Sequence, residues 1–478
     1  MSSNKTTIDS FGRDESNRDK NDIKIPKQLA KTTVTLLKPV RLNVCNDRGE
    51  LRLGELLKWL DACSCMSAER LASHSCVTCI MDDLTFNQEN MKRSPIRGEY
   101  VKLIGTVTRV WNSSMEVHVS AWCGSPRRRD ERRFCSVYFV YVLFQKRKGQ
   151  KLPMAVPSTA MEKQHHDDAQ ERKLMRIHRL KMVERLTMSD VLVKQPDDAP
   201  ILTVASSIRP TKTSPESNVA QTSENTLIQF TELVLPPHAN HMGGTFGGQI
   251  MCWMSRAANM SAWAHVSNHM SETSDFDLIP VCIDQINFKL PSHVGDRLNV
   301  TARVSRVFRT SMEIFVTVSG GAVDAKDPDN RTINEGFFTY AFVSKPEGTF
   351  QVGRAQPLPS MAVDETNNSV YEHALGRRLL RMKRRAIGLV LQIFSNIDSD
   401  GDGRITRAEI MRTFESHSKI SLYLKRCGLE DKFADFLKTD DDEDASASER
   451  TISFEEFSKS LKEKLHITTA TTTTKSDA

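Results

Sequence analysis

The chain repeats itself, and that repeat limits its fold more than any other feature. LGELLKWLDACSCMSA (53–68) aligns with GGQIMCWMSRAANMSA (247–262). Gly54 and Gly248, Trp59 and Trp253, and Ser67 and Ser261 are each separated by 194 residues. Farther on, MDDLTF (81–86) aligns with IDQINF (283–288), and Gly98–Glu99 with Gly295–Asp296. RVWNSSMEV (109–117) then aligns with RVFRTSMEI (306–314), where Met115 and Met312 lie 197 residues apart. The blocks keep their order and the offset drifts only through small insertions. Two copies of one fold are therefore expected in a single chain.

Each copy carries the signature of a helix and then a set of strands. Leu53, Leu56, Leu57, Leu60 and Ser64 fall on one face at helical spacing, which predicts an amphipathic helix. VKLIGTVTRV and MEVHVSAW in copy one, with LNVTARVSRV and MEIFVTVSG in copy two, alternate as β-strands do and are separated by polar turns. The longest apolar run, Cys135 to Phe144, reads as a buried strand. One helix followed by antiparallel strands is α+β; a central helix wrapped by a curved antiparallel sheet is the hotdog arrangement. The expected architecture is two tandem hotdog domains followed by an all-α EF-hand pair.

The boundaries follow from composition. Residues 1–28 are polar and charged and are expected to be a disordered tail. The first domain with a trailing helix spans 29–190, a Ser/Thr/Pro-rich linker 191–224, and the second domain 225–370. An EF-hand module is expected over 371–466, ahead of a low-complexity tail at 467–478. Of the 478 residues, 39% are hydrophobic and 26% charged, enough to bury real cores. A formal charge of +6 tolerates anionic ligands and is far too weak to argue for nucleic acid. No stretch approaches the ~18 apolar residues of a membrane span. The N-terminus lacks the apolar core of a secretory signal, and its acidic residues argue against a mitochondrial presequence. The ten cysteines lack framework spacing, so a reducing, cytoplasmic location is expected.

PPHANHMGGTFGGQIMCWM (236–254) resembles the second hotdog domain of the tandem acyl-CoA thioesterases. NDRGELRLGELLKWLDACSCMSAER (46–70) resembles the first domain of their brown-fat-inducible and cytosolic acetyl-CoA hydrolase branch. The resemblance covers residues 33 to 350. It implies a double hotdog fold, hydrolysis of acyl-CoA to free fatty acid and CoA, and a homo-oligomer. That branch carries a lipid-binding START domain after the second repeat, and the about 100 residues found here are too few to hold one.

Thioester hydrolysis needs a base to activate water and donors to hold the developing oxyanion. Asp61, four residues after Leu57, lies beside the apolar stripe of the first helix, so its carboxylate should be partly desolvated and its pKa raised. Gly248 offers a helix N-terminal amide, and Asn240 a side-chain amide in the preceding loop. Seven residues of helix separate Asp61 from Gly54, about 10 Å at 1.5 Å per residue, so one thioester cannot touch both. The donors facing Asp61 are therefore expected from the other repeat, namely Gly248 and Asn240. The resemblance carries the same cross-domain pairing. Copy two has Ser255 in place of Asp61, so the reciprocal site (Asn46 and Gly54 with Ser255) lacks its carboxylate and one working site is expected. Asn112, Ser113, Ser114, Arg309, Thr310 and Ser311 are candidate CoA contacts, the alternative being simple turn chemistry. A hydratase would need a histidine beside the carboxylate, and the helix carries none. A catalytically silent acyl-CoA or lipid-binding calcium sensor remains the alternative to a hydrolase.

The C-terminal segment carries a separate chemistry. Asp398, Asp400, Asp402 and Glu409 stand at the first, third, fifth and twelfth positions of an EF-hand loop, with Gly403 at the sharp turn and Arg404 offering its backbone carbonyl. Calcium is the expected cofactor, with no catalytic cofactor required. A second hand is degenerate: Asp440, Asp441 and Asp442 lie too far upstream of Thr451–Ser453, although it can pair structurally with the first. Arg377, Arg378, Arg381, Lys383, Arg384 and Arg385 read as a solvated helix face, the sharper reading being weak contact with an anionic membrane or with the opened EF-hand groove.

Overall fold

The computed structural model describes residues 27–86, 94–126, 130–144, 151–188, 223–267, 276–322, 331–344, 355–358, 361, 370–371, 373–374, 376–378, 381, 397, 404–406, 408–410, 412 and 451–453. In the first copy a strand β1 (Val34–Pro39) leads to helix α1 (Leu53–Ala72). Strands β2 (Cys76–Phe86), β3 (Tyr100–Val110), β4 (Ser114–Gly124) and β5 (Arg132–Leu143) follow, and then helix α2 (Ala160–Met188). The second copy repeats the order with β6 (Ile228–Leu233), α3 (Gly247–Ser267), β7 (Phe276–Phe288), β8 (Asp296–Val307), β9 (Ser311–Ala322) and β10 (Thr332–Ser344).

These strands form one ten-stranded sheet ordered β1-β3-β4-β5-β2-β7-β10-β9-β8-β6. Every neighbouring pair is antiparallel. The two halves meet at a seam between β2 and β7, with Met81 opposite Ile286 and Leu84 opposite Ile283. Because side chains alternate across a strand, Val117, Val119 and Ala121 of β4 face inward onto the helices, as do Ile314, Val316 and Val318 of β9. The apolar face of α1 is buried through Leu56, Leu57, Leu60, Cys63, Ala68 and Leu71. Met251, Met254, Ala257, Ala258 and Ala262 do the same for α3. The two central helices lie side by side in the concavity of the sheet, their small residues allowing close approach. A Cβ on Gly248 would stand 2.8 Å from Lys58 Cα, and one on Gly54 3.2 Å from Cys252 Cα.

On the opposite face of the sheet each half carries a strap built from arginines. In the first half, Glu116 of β4 is fully buried and accepts hydrogen bonds from Thr108 Oγ1 at 2.8 Å and from Arg172 of α2 at 2.7 Å. Arg176, one turn on, reaches Glu116 at 2.9 Å and the buried Asp82 at 3.1 Å. The second half repeats the device. Glu313 accepts from Ser305 Oγ at 2.7 Å and Arg377 at 2.6 Å, while Arg381 donates to Asp284 and to Thr339 Oγ1, both at 2.8 Å. A carboxylate taken out of water requires such a partner.

For Arg377 and Arg381 this arrangement corrects the expectation of a solvated helix face. Arg377 and Arg381 are buried ion-pair partners, and Arg378 lies 4.3 Å from the centroid of the Phe308 ring. Lys383, Arg384 and Arg385 lie outside the described residues.

Of the C-terminal segment, Arg404–Thr406 (β11) and Thr451–Ser453 (β12) pair antiparallel, with Ile405 opposite Ile452. Thr406 and Glu409 form a capping box: the Thr406 amide donates to Glu409 Oε2 at 2.9 Å, and the Glu409 amide donates to Thr406 Oγ1 at 3.3 Å. Asp398, Asp400, Asp402 and Gly403 lie outside the described residues.

Candidate active site

Asp61 sits midway along α1, where that helix crosses the N-terminus of α3. Its carboxylate is 2% exposed, which makes its hydrogen bonds decisive. Three donors converge on it. Oδ2 accepts from the Gly248 amide at 2.7 Å, while Oδ1 accepts from Tyr141 Oη at 2.9 Å and Thr78 Oγ1 at 3.0 Å. The first crosses from one half of the molecule to the other. Thr78 and Tyr141 are opposite each other on β2 and β5, so the sheet delivers both hydroxyls to one point.

Burial pushes the Asp61 carboxyl above its ordinary range; the Tyr141, Thr78 and Gly248 hydrogen bonds oppose that shift. Burial, and then the Asp61 charge, hold the Tyr141 phenol well above its usual value, so it stays a protonated donor. A carboxylate raised this way is a better proton acceptor at neutral pH than a solvated aspartate.

Gly248 serves in two ways. Its amide is one of the unsatisfied donors at the start of α3, and it points at Asp61. Its missing side chain makes room for α1 and for the Phe246 ring, which a Cβ would meet at 2.7 Å. The glycine is thus a packing requirement as well as a donor. Gly247 is next to it, and a Cβ there would stand 3.0 Å from Asp61 Oδ2.

Asn240 lies in the loop entering α3. Its Oδ1 accepts from the Met242 amide at 2.9 Å and the Gly244 amide at 3.1 Å, which folds the loop back on itself. With the oxygen committed to the loop, the Nδ2 group is the part able to donate to a substrate carbonyl. The loop is tied to α1 by His241 Nε2, 3.0 Å from Glu69 Oε1. His238 packs edge-on against Trp253 with ring centroids 5.1 Å apart.

The reciprocal position is stripped of this chemistry. Ser255 stands where Asp61 does and turns its hydroxyl onto the Cys252 carbonyl at 2.9 Å. Pro280 faces Tyr340 where Thr78 faces Tyr141. Asn46 is held by Glu50, accepting from its amide at 2.8 Å and donating to its Oε2 at 3.3 Å.

The candidate CoA contacts are two equivalent hairpin turns. Trp111 N donates to Ser114 O across Asn112 and Ser113, and Phe308 N to Ser311 O across Arg309 and Thr310. Among the described residues no hydrogen bond links either turn to Asp61, Asn240 or Gly248.

No motif in the sequence marks Thr78 or Tyr141 as part of the site. Tyr141 leaves a trace in the repeat, since Tyr340 occupies the same place 199 residues on. Thr78 leaves none, because its counterpart is proline.

Residues 242–321 match the family model of the thioesterase superfamily. The chain is 32% identical over 340 residues to acyl-coenzyme A thioesterase 11 of Mus musculus, covering 71% of this chain and 51% of that protein. It is 32% identical over 347 residues to acetyl-coenzyme A thioesterase of Rattus norvegicus, covering 72% of this chain and 56% of the relative. The chain thus spans about half the length of these relatives. A solved apo-hexameric acyl-CoA thioesterase matches 34% of this chain and 96% of its own, at 30% identity and a TM-score of 0.30.

Proposed function

We propose that the protein is an acyl-CoA thioesterase that hydrolyses fatty acyl-CoA to free fatty acid and CoA. The observation that carries this reading is the Asp61 carboxylate set against the Gly248 amide across the two halves. In the proposed reaction the thioester carbonyl takes the Gly248 N–H and the Asn240 Nδ2 as donors, displacing the Asp61 oxygen now on that amide. Asp61 removes a proton from water as the water attacks the carbonyl carbon. The carbon–sulfur bond then breaks, and the proton leaves with the CoA thiolate. The similarity to an acyl-coenzyme A thioesterase and an acetyl-coenzyme A thioesterase supports this substrate class.

Purified protein is expected to release CoA thiol from acyl-CoA, and a series of acyl lengths will give its preference. If thiol is released from none of them, the silent-sensor reading takes over. Assembly as a homo-oligomer in the cytoplasm belongs to the same proposal.

Calcium is proposed as a regulatory ligand held by Asp398, Asp400, Asp402, the Arg404 carbonyl and Glu409. The described part of that loop suits an EF-hand: Glu409 is buried at the start of the exit helix, and the loop strand β11 pairs with a second one. Glutamine can keep the capping box with Thr406 but cannot supply a bidentate carboxylate. Glu409→Gln should therefore fold normally and lose calcium binding in a calorimetric titration. Unchanged calcium affinity in this variant would remove the assignment, and equal turnover with calcium and with chelator would remove the regulatory role.

A further inference from the structure

The half of the molecule that carries Ser255 in place of the carboxylate has open space beside it. A cavity of about 610 Å³ opens at the reciprocal position, where the start of α1 meets the middle of α3. That volume lies within the range of small-molecule sites, about 300–1,000 Å³. Gly54, Cys252 and Ser255 form its floor, and Phe86, Trp263 and Ile279 contribute to its apolar wall. As the second residue of α1, Gly54 has no intrahelical acceptor for its amide, and no hydrogen bond covers that amide among the described residues. At the Asp61 position the corresponding amide is covered by the carboxylate.

Each departure from the first site removes reactivity and leaves room. Serine replaces the base, proline replaces a hydroxyl that would steady it, and Glu50 occupies the Asn46 amide. Arg48, Arg52 and Arg256 at the cavity are matched by Asp47, Glu50, Glu55 and Asp277, so no net positive field gathers there. A ligand is therefore selected by its neutral, apolar part rather than by phosphates.

We infer that this cavity is a second binding site for acyl-CoA, one that holds the acyl-pantetheine arm on the Gly54 amide and does not hydrolyse it. The site rests on the thioesterase reading, and it provides each chain with a means of sensing the substrate it consumes.

Cys252 in the cavity floor gives a local readout. The test uses the full-length chain and a non-hydrolysable thioether analogue of acyl-CoA, with calorimetric stoichiometry and mass-spectrometric mapping of cysteine alkylation. Two equivalents per chain are expected, and Cys252 alkylation should slow about a hundredfold at roughly 100 times Kd. One equivalent with Cys252 unprotected overturns the second site and leaves the hydrolase reading standing. No binding at all sinks both. Protection by free fatty acid of the same length, without protection by the thioether, also overturns the inference, since the occupant would then be the product.

Discussion

Asp61→Asn is expected to lower kcat for acyl-CoA hydrolysis by about 10²–10⁴-fold, the usual cost of removing a general base. Folding should survive. The carboxylate accepts from two hydroxyls and one amide, and asparagine can accept the Gly248 amide while its NH₂ meets Thr78 or Tyr141, whose hydroxyls rotate to accept. The sign of the stability effect is also fixed. Burial raises the Asp61 pKa in the folded state, so the ionised form is disfavoured there. That penalty is absent below the unfolded carboxylate value, develops as pH rises, and is complete above the folded pKa. At neutral pH the asparagine variant should therefore melt no lower than the wild type. In the wild type, kcat/KM should fall with acid through an apparent pKa above the ordinary aspartate value of about 3.9. A variant that keeps full turnover, or an acid limb at the ordinary value, would contradict the assigned base.

The largest stability effect is expected from the second strap. Among the described residues, Arg377→Ala leaves the fully buried Glu313 carboxylate with the Ser305 hydroxyl as its side-chain hydrogen-bond partner. Breaking a buried pair from one side costs about 3–5 kcal/mol, readable from denaturant midpoints. Arg172→Ala should cost less, because Arg176 still reaches Glu116 at 2.9 Å. Arg378→Ala, which removes the cation held over the Phe308 ring, is the comparison, that ring contact being worth about 0.5–1 kcal/mol.

The straps also carry a pH signature. Burial alone would raise the Glu116 carboxyl, but Arg172 and Arg176 outweigh it and hold it below its ordinary value. Its contribution is thus present above the unfolded carboxylate pKa and is lost as pH falls through the lower folded one. Equal destabilisation by Arg377→Ala and Arg378→Ala would show that the buried pair is not what anchors the strap.

The parts of this architecture visible in the sequence are those set by short-range pattern or by the repeat. Helical spacing located α1, alternation located the strands, and a matched offset tied the two copies together. Even the cross-half pairing of Asp61 with Gly248 followed from helix rise, because 10 Å of α1 separates Asp61 from its own Gly54. Contacts made by distant strands were not visible. Thr78 and Tyr141 meet at Asp61 through the register of β2 on β5, and nothing local to either residue announces it. The arginines were misjudged for a different reason. A basic helix is ordinarily solvated, and the partners of this one, Glu313 and Asp284, lie in strands far away in sequence. The signal was nevertheless present: RKLMR (172–176) recurs as RRLLR (377–381), each following a copy of the SME block. Two buried glutamates and two spaced arginine pairs, repeated together, are explicable as mutual partners.

The unbroken seam of β2 on β7 has a consequence for how this molecule was able to change. In a dimer of identical subunits, any substitution is written into both symmetry-related positions at once. Here the two positions lie in one chain and are separately encoded, so residue 61 can be aspartate while its counterpart is Ser255. The proposed reaction centre at Asp61 can thus stand beside a position free to serve another role.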